Sequence, residues 1–207
     1  DLLSPLLTFM NFSPRTTLRE CYELTKKDMY FYSTKVNGFI SEVFHHTTHP
    51  DVLVLDAIYM SCCIPYVFEP LTYNDSFMID GAFTCNFPYS HAIEYKKNND
   101  ISGNLLCLSF DFPEENISDC ENCDAFTFGT VIFDQILRFI KRINETNTED
   151  LHIDDEYKMY HIKLSCDTLS FQGAYEAVTN KDNRIMLFDK GVKECINHLQ
   201  DFFEEFN

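Results

Sequence analysis

The stretch that decides the fold runs from residue 76 to residue 88 and reads SFMIDGAFTCNFP. Its first four residues, Ser76 to Ile79, are mostly apolar and predict a short buried strand. Asp80 and Gly81 end that strand, and Pro88 opens a helix at a position where its missing N–H costs nothing. The pattern therefore places a carboxylate at the C-terminal end of a strand, where ligands and catalytic groups collect in open α/β sheets.

Two interpretations of Asp80 follow from these residues. The carboxylate is a general base if it lies within hydrogen-bond reach of a hydroxyl group, or it caps the turn that follows, as Asp commonly does. Gly81 permits a tight backbone turn without a Cβ, and the amide of Asn86 can tie a loop together by hydrogen bonds. The residues alone leave both interpretations open.

Strands and helices alternate after residue 76. A helix is predicted from Pro88 to about Lys97, a strand buried on both faces over Leu105–Phe110, and a strand over Tyr157–Leu164. Helices are predicted over 126–143, 174–179 and 183–203, with Met186, Val192, Ile196 and Leu199 as a buried stripe in the last of them. This order predicts an α/β fold with a largely parallel sheet.

The residues before this stretch predict a helix and a hairpin. Thr17 and Glu20 fit a capping box at the start of a helix over 16–27. An aromatic strand over 29–36, an Asn37-Gly38 turn and a return strand over 39–44 predict an N-terminal hairpin, and a further helix is predicted over 53–62. Three histidines, His45, His46 and His49, follow the hairpin, and we interpret them as solvated loop side chains rather than metal ligands.

Composition excludes several classes of protein. The formal net charge of −17 argues against nucleic acid as a partner, because phosphate repels carboxylates. Six glycines are present and the two closest, Gly173 and Gly191, are 18 residues apart. A Gly-x-Ser-x-Gly elbow, a P-loop and a dinucleotide fingerprint all need closer glycines, so none of them lies in these 207 residues.

Nine cysteines, an odd number, predict reduced thiols in a cytosol-like compartment. Cys120 and Cys123 form a lone Cys-x-x-Cys within an acidic segment over 111–124, whose spacing does not fit a calcium loop. The basic end of the helix over 126–143, with Arg138, Lys141 and Arg142, either complements the helix dipole or faces a lipid surface. Peripheral contact with a membrane therefore stays an open expectation.

Residues 61–88 resemble the second half of patatin-like phospholipases. The shared pattern is S-x-x-I-P-x-x-F-x-P at 61–70, followed after a spacer by F-x-x-D-G-x-x-x-x-N-x-P at 77–88. Supporting matches lie upstream in Leu18–Thr25, in the hairpin over 29–44 and in Asp56-Ala57-Ile58, and a weaker match lies in Leu187–Gly191. The resemblance implies a three-layer α/β/α arrangement and makes residues 1–207 the C-terminal part of one such domain.

The family's active site, carried onto this chain, has Asp80 as its base. Gly81 and Ala82 complete the Asp-Gly-Ala motif, and Asn86 supports it. The resemblance implies a Ser–Asp dyad that needs no metal or cofactor, and a phospholipid or other acyl-ester lipid as substrate. The serine elbow and the oxyanion glycines match no residue here, so we expect them in a missing N-terminal segment of a longer polypeptide.

Three hypotheses follow. The chain supplies the base-bearing half of a lipid acyl hydrolase, or it is an inactive patatin-like remnant that binds membranes or partners. The third is a plain interaction domain in which Asp80 is a turn cap. Asp80 distinguishes the third from the others, since a base opens onto a cleft and a cap does not need to.

Overall fold

The structure is a computed structural model. It describes residues 4–102, 104–111, 159–165, 176–177 and 179–204, and residues 124–140 except 126, 127, 130, 134 and 137. The chain divides into two compact units, one built on Asp1–Pro88 and the other beginning at Tyr89. In the part of the chain so described, no helix combines the length and the apolar character needed to cross a bilayer.

The helices and strands agree in type with the sequence prediction over most of the described residues. In chain order they are α1 (Ser4–Phe9), α2 (Leu18–Thr25), β1 (Phe31–Lys35), β2 (Ile40–Phe44), α3 (Val54–Ser61), β3 (Leu71–Tyr73), β4 (Ser76–Asp80), α4 (Ala82–Cys85), α5 (Tyr89–Asn98), β5 (Leu105–Asp111), β6 (Met159–Ser165) and α6 (Lys181–Glu204). A mixed α/β fold is therefore confirmed.

The four-stranded sheet of the first unit is antiparallel, with the strand order β2-β1-β4-β3. The prediction of a largely parallel sheet is wrong for these strands. Two of the three pairings, β1 with β2 and β3 with β4, join strands linked by a short turn, and such strands must run in opposite directions. The third, β1 with β4, is antiparallel between strands far apart in the chain. Asn74 and Asp75 form such a turn between β3 and β4 with positive φ angles of 46° and 59°, as a hairpin turn of the primed type requires.

The predicted N-terminal hairpin is confirmed as β1 and β2, with Phe31 opposite Phe44 and Lys35 opposite Ile40. Its loop has four residues rather than two, and Gly38 adopts a φ of +86° within it. Strands β5 and β6 do pair in parallel. The three-layer arrangement and the single domain over 1–207 stay predictions.

The capping box at the start of α2 is confirmed. The Thr17 hydroxyl accepts a hydrogen bond from the Glu20 N–H at 3.2 Å, and Glu20 Oε2 accepts one from the Thr17 N–H at 2.9 Å. Two N–H groups that a helix start leaves unpaired are thus satisfied. The cap turns Leu18 and Cys21 into the core of the first unit.

That core joins α2 and α3 to the sheet. Its buried members, all apolar, are Leu18, Cys21, Phe44, Val54, Ala57, Met60 and Met78. Helix α3 supplies Val54, Ala57 and Met60 at helical spacing, and β4 supplies Met78. Because α3 packs against both β1 and β4, its last turn lies next to the end of β4.

Two burial predictions in the second unit are wrong. Leu106 and Leu108 of β5 are 61% and 57% exposed, whereas Cys107 between them is buried, so the strand alternates instead of being covered on both faces. In α6, Met186, Val192 and Ile196 are exposed. The partly buried side of this helix is a different one, which includes Leu187 and Gly191. The predictions for residues 112–123, for Lys141 and Arg142 and for the Leu199 side chain lie outside the described residues.

Candidate active site

The backbone of Asp80 and Gly81 is held between β1 and the end of α3. Asp80 pairs with Ser33 of β1 in the sheet. Beyond that pairing, the Asp80 N–H donates to the Cys63 carbonyl at 2.9 Å, and the Gly81 N–H donates to the Ser61 carbonyl at 3.2 Å. These bonds fix the position from which the Asp80 side chain projects.

One carboxylate oxygen of Asp80 is engaged by the turn that follows. Oδ1 accepts a hydrogen bond from the Ala82 N–H at 2.8 Å, which is the bond that the turn-cap interpretation predicts. The described residues offer Oδ2 no donor at hydrogen-bond distance, and the residue as a whole is half-buried rather than enclosed. The cap therefore orients the carboxylate and leaves one oxygen able to accept a proton.

Burial raises the pKa of the Asp80 carboxyl above its ordinary value, and the bond from Ala82 opposes part of that rise. The neighbouring acids are weaker still. Burial, the Cys62 thiol and the Asp80 charge together raise the pKa of Cys63 to about 11, and burial leads the causes that raise the pKa of Tyr32 to about 12. Of these three groups, Asp80 is the one that can act as a base near neutral pH.

Gly81 is needed for space rather than for an unusual backbone angle. Its φ of −66° suits any residue, but a Cβ there would lie 2.2 Å from the Tyr32 carbonyl oxygen and 2.6 Å from the Tyr32 carbonyl carbon. The close approach brings β4 and the start of α4 onto the backbone of β1. Gly81 therefore leaves no room for a Cβ, because the Tyr32 carbonyl group occupies that space.

The other two motif residues lie along α4. Ala82 is the first residue of this helix and donates the bond to Asp80, and Asn86 is its exposed C-cap. A contact between the hydroxyls of Thr34 and Thr84, at 2.8 Å, ties α4 to β1. The supporting role of Asn86 stays a prediction.

Sequence reasoning missed Ser33, the residue that supports Asp80 from β1. Its fully buried hydroxyl lies 2.8 Å from the Ile79 carbonyl and 3.0 Å from the Met60 carbonyl, both of which accept. It thereby links β1 to the end of β4 and to α3. The only sequence signal was a small polar residue within an aromatic strand, which does not reveal a partner 46 residues away.

The histidines after the hairpin are not solvated, so that interpretation is wrong. His45 is buried, and the His46 and His49 side chains are 16% and 14% exposed. The rings pack against Tyr22, Tyr30, Phe44 and Tyr73. Aromatic neighbours from α2, β2 and β3 cover a segment that looks polar in the amino-acid sequence.

Part of the chain is similar in sequence to known proteins. Residues 1–93 match the sequence model described as patatin-like phospholipase. The chain is also similar to the probable lipid hydrolase 463L of Invertebrate iridescent virus 6, with 30% identity over 119 residues, which make up 56% of this chain and 41% of the viral protein. The chain thus spans about two fifths of the length of this curated relative.

The segment that contains the candidate site is thus similar in sequence to patatin-like phospholipases and to a viral protein described as a probable lipid hydrolase. The match over residues 1–93 confirms the resemblance to patatin-like phospholipases seen in the sequence. Asp80, Gly81, Ala82 and Asn86 all lie inside residues 1–93.

The raised pKa of Asp80 predicts a specific dependence of stability on pH. An acid whose pKa is higher in the folded state binds its proton more tightly there, so ionisation of Asp80 lowers the free energy of unfolding. The loss begins above the ordinary Asp pKa of about 3.9 and is complete above the folded-state pKa. Asp80→Asn, which keeps an oxygen for the Ala82 N–H, should therefore stabilise the protein at neutral pH.

Urea unfolding of the wild type and Asp80→Asn at about pH 7.5 and about pH 3.5 checks this expectation. The two values lie on either side of the isoelectric point near 4.6, where the protein is least soluble. The variant should be the more stable one at the higher pH, and its advantage should shrink at the lower pH. An advantage that is equal at both pH values would mean that the charge of Asp80 carries no folding cost.

Proposed function

We propose that this chain is the base-bearing part of a lipid acyl hydrolase that works through a Ser–Asp dyad. In this scheme the nucleophilic serine comes from outside the 207 residues. Its oxygen attacks the carbonyl carbon of the ester, and Asp80 Oδ2 accepts the serine proton. The proton then passes to the departing alcohol, and water, deprotonated by the same carboxylate, releases the fatty acid and restores the serine.

The observation that carries this proposal is the state of the Asp80 carboxylate. One oxygen is held by the Ala82 N–H while the other has no donor among the described residues, and the backbone on both sides is fixed to β1 and α3. A turn cap needs only the bond from the Ala82 N–H. The oxygen without a donor, on a fixed backbone, suits a group that must receive a proton without moving.

The sequence matches support the substrate class. The patatin-like segment includes Asp80, and the viral relative is described as a probable lipid hydrolase. We propose a phospholipid or another acyl-ester lipid as substrate, met at a membrane surface by peripheral contact. The net charge of −17 favours a zwitterionic over an anionic surface, because like charges repel.

We also propose a reducing, cytoplasmic setting. Cys21, Cys62, Cys63, Cys85, Cys107 and Cys195 are all free thiols, although Cys62 and Cys63 are adjacent in the chain. Stable free thiols suit a compartment in which disulfides are kept reduced.

The second candidate is a catalytically inactive patatin-like remnant that binds membranes or partners. It is favoured by one observation, the absence of a Gly-x-Ser-x-Gly elbow from the 207 residues. The two candidates differ in whether bound lipid is cleaved.

The test is release of fatty acid by the full-length protein from phosphatidylcholine vesicles and from a soluble acyl ester. The proposal predicts hydrolysis of both, and slower hydrolysis when anionic lipid is added to the vesicles. Vesicle binding without release of fatty acid would support the remnant, and neither binding nor hydrolysis would support a plain interaction domain.

A further inference from the structure

A second cluster of chemically active side chains lies apart from Asp80, where the hairpin ends. Asp28 precedes β1, and His45 and His46 follow β2. His45 Nε2 lies 3.1 Å and His46 Nδ1 lies 3.3 Å from the same oxygen, Oδ1 of Asp28. The ligating atoms of the three residues are all within 4.8 Å of one another.

We propose that Asp28, His45 and His46 form a binding site for one divalent transition-metal cation of the zinc class. Two imidazole nitrogens and one carboxylate oxygen are the donors that such cations prefer. Three protein ligands leave a fourth position for water.

The spacing of the ligand atoms fits a cation placed among them. Ligands bound at 2.0–2.1 Å at the corners of a tetrahedron are about 3.3–3.4 Å apart along its edges. The two nitrogen-to-oxygen distances of 3.1 and 3.3 Å nearly match this value.

An ordinary ion pair accounts less well for His46. Its Nδ1 atom is buried and has no hydrogen-bond partner among the described residues, although Asp28 Oδ1 lies 3.3 Å away. A buried polar nitrogen without a partner costs free energy. A cation bound to that nitrogen would remove the deficit.

The two rings are also held in place by their neighbours. Tyr22 stacks on His46 and Tyr30 stacks on His45, each with an interplanar angle of 4°. His45 Nδ1 lies 2.8 Å from the Thr47 hydroxyl. The Thr47 N–H also donates to Nδ1, over a long 3.4 Å. With a metal on Nε2, Nδ1 would carry the proton and donate to the Thr47 hydroxyl in place of that bond, and such an outer hydrogen bond orients a ligating ring.

The experiment is a titration of the chelator-treated full-length protein with Co²⁺, followed by visible absorption, and with Zn²⁺, followed by the melting temperature. Cobalt bound by nitrogen and oxygen gives visible bands, whereas thiolate ligation adds strong near-ultraviolet charge transfer, so cysteine sites are distinguishable. Asp28→Asn replaces the carboxylate ligand by a neutral and weaker amide oxygen at an exposed position. His46→Phe removes a ligand while keeping a ring against Tyr22. His49→Phe is the matched control, because His49 also packs among rings and faces a carboxylate, that of Glu42, at 3.3 Å.

We expect one equivalent of Co²⁺ without thiolate bands, and a rise in melting temperature with Zn²⁺. Loss of an outer partner weakens metal sites by roughly 10- to 100-fold, so Asp28→Asn and His46→Phe should each cost at least about tenfold in affinity. His49→Phe should bind as the wild type does. The proposal is overturned by the absence of binding, by thiolate bands alone, or by equal affinities in all three variants.

Discussion

Asp80→Asn should lower kcat/KM for acyl-ester hydrolysis by the full-length protein by about 10²- to 10⁴-fold. The amide has almost the shape of the carboxylate and keeps an oxygen for the Ala82 N–H, but it cannot take a proton from an alcohol. The loss should fall on kcat, with KM little changed, because the carboxylate acts in the chemical step. Initial rates of fatty acid release over a range of ester concentrations measure both constants.

Asp75→Asn is the matched control for this experiment. Asp75 lies in the exposed turn before β4, with a φ of 59° that Asn adopts readily. The control should retain wild-type kinetics, since it removes one negative charge without touching the candidate site. Full activity in Asp80→Asn would remove Asp80 from the mechanism and leave it as a turn cap.

Gly81→Ala should destabilise the protein by about 3 kcal/mol or more. The added methyl group would lie 2.2 Å from the Tyr32 carbonyl oxygen, and this neighbour is backbone, which cannot rotate away as a side chain can. Relief requires β4 to move away from β1, which would disturb the core around Met78 as well as the position of Asp80. Urea unfolding followed by circular dichroism gives the change in the free energy of unfolding.

Gly191→Ala tests the same chemical change without the crowding. Gly191 lies inside α6, and a Cβ there would meet no atom within 4 Å. Because alanine is a better helix former than glycine, this variant should be neutral or gain about 0.5–1 kcal/mol. If both variants behaved alike, the close approach of Gly81 to Tyr32 would not exist in solution.

Local signals predicted the local parts of the fold. The capping box of Thr17 and Glu20, the hairpin after α2 and the helix at α3 were each specified by neighbouring residues. Strand β4 and the position of Asp80 at its end were specified by an apolar run followed by Asp-Gly. These predictions succeeded because the interactions that decide them span only a few residues.

Strand direction could not be predicted in the same way. The alternation of strands and helices suggested parallel pairing, but β3 was not recognised in Leu71–Tyr73, so the hairpin it forms with β4 was missed. The pairing of β1 with β4 joins residues more than 40 positions apart, which no short pattern encodes. The antiparallel sheet follows from these two pairings.

The candidate site was likewise predicted only in its local part. The motif predicted Asp80 and Gly81, but nothing in the sequence indicated that Ser33 and the Tyr32 carbonyl lie beside them. Asp28 drew no attention in the sequence, because its relation to His45 and His46 arises only when the hairpin folds back. Contacts between residues on different strands can be identified only once the register of the strands is known.

The proposed role of Asp80, as the base that activates a serine, is tested most directly by the rate at which that serine reacts. A fluorophosphonate probe forms a covalent bond to an activated serine and needs no lipid surface, so its labelling rate reports activation separately from substrate binding. In the full-length protein we predict rapid labelling of the wild type and of Asp75→Asn, and labelling at least about 100-fold slower in Asp80→Asn. Labelling of Asp80→Asn at the wild-type rate would contradict the assignment of Asp80 as the base.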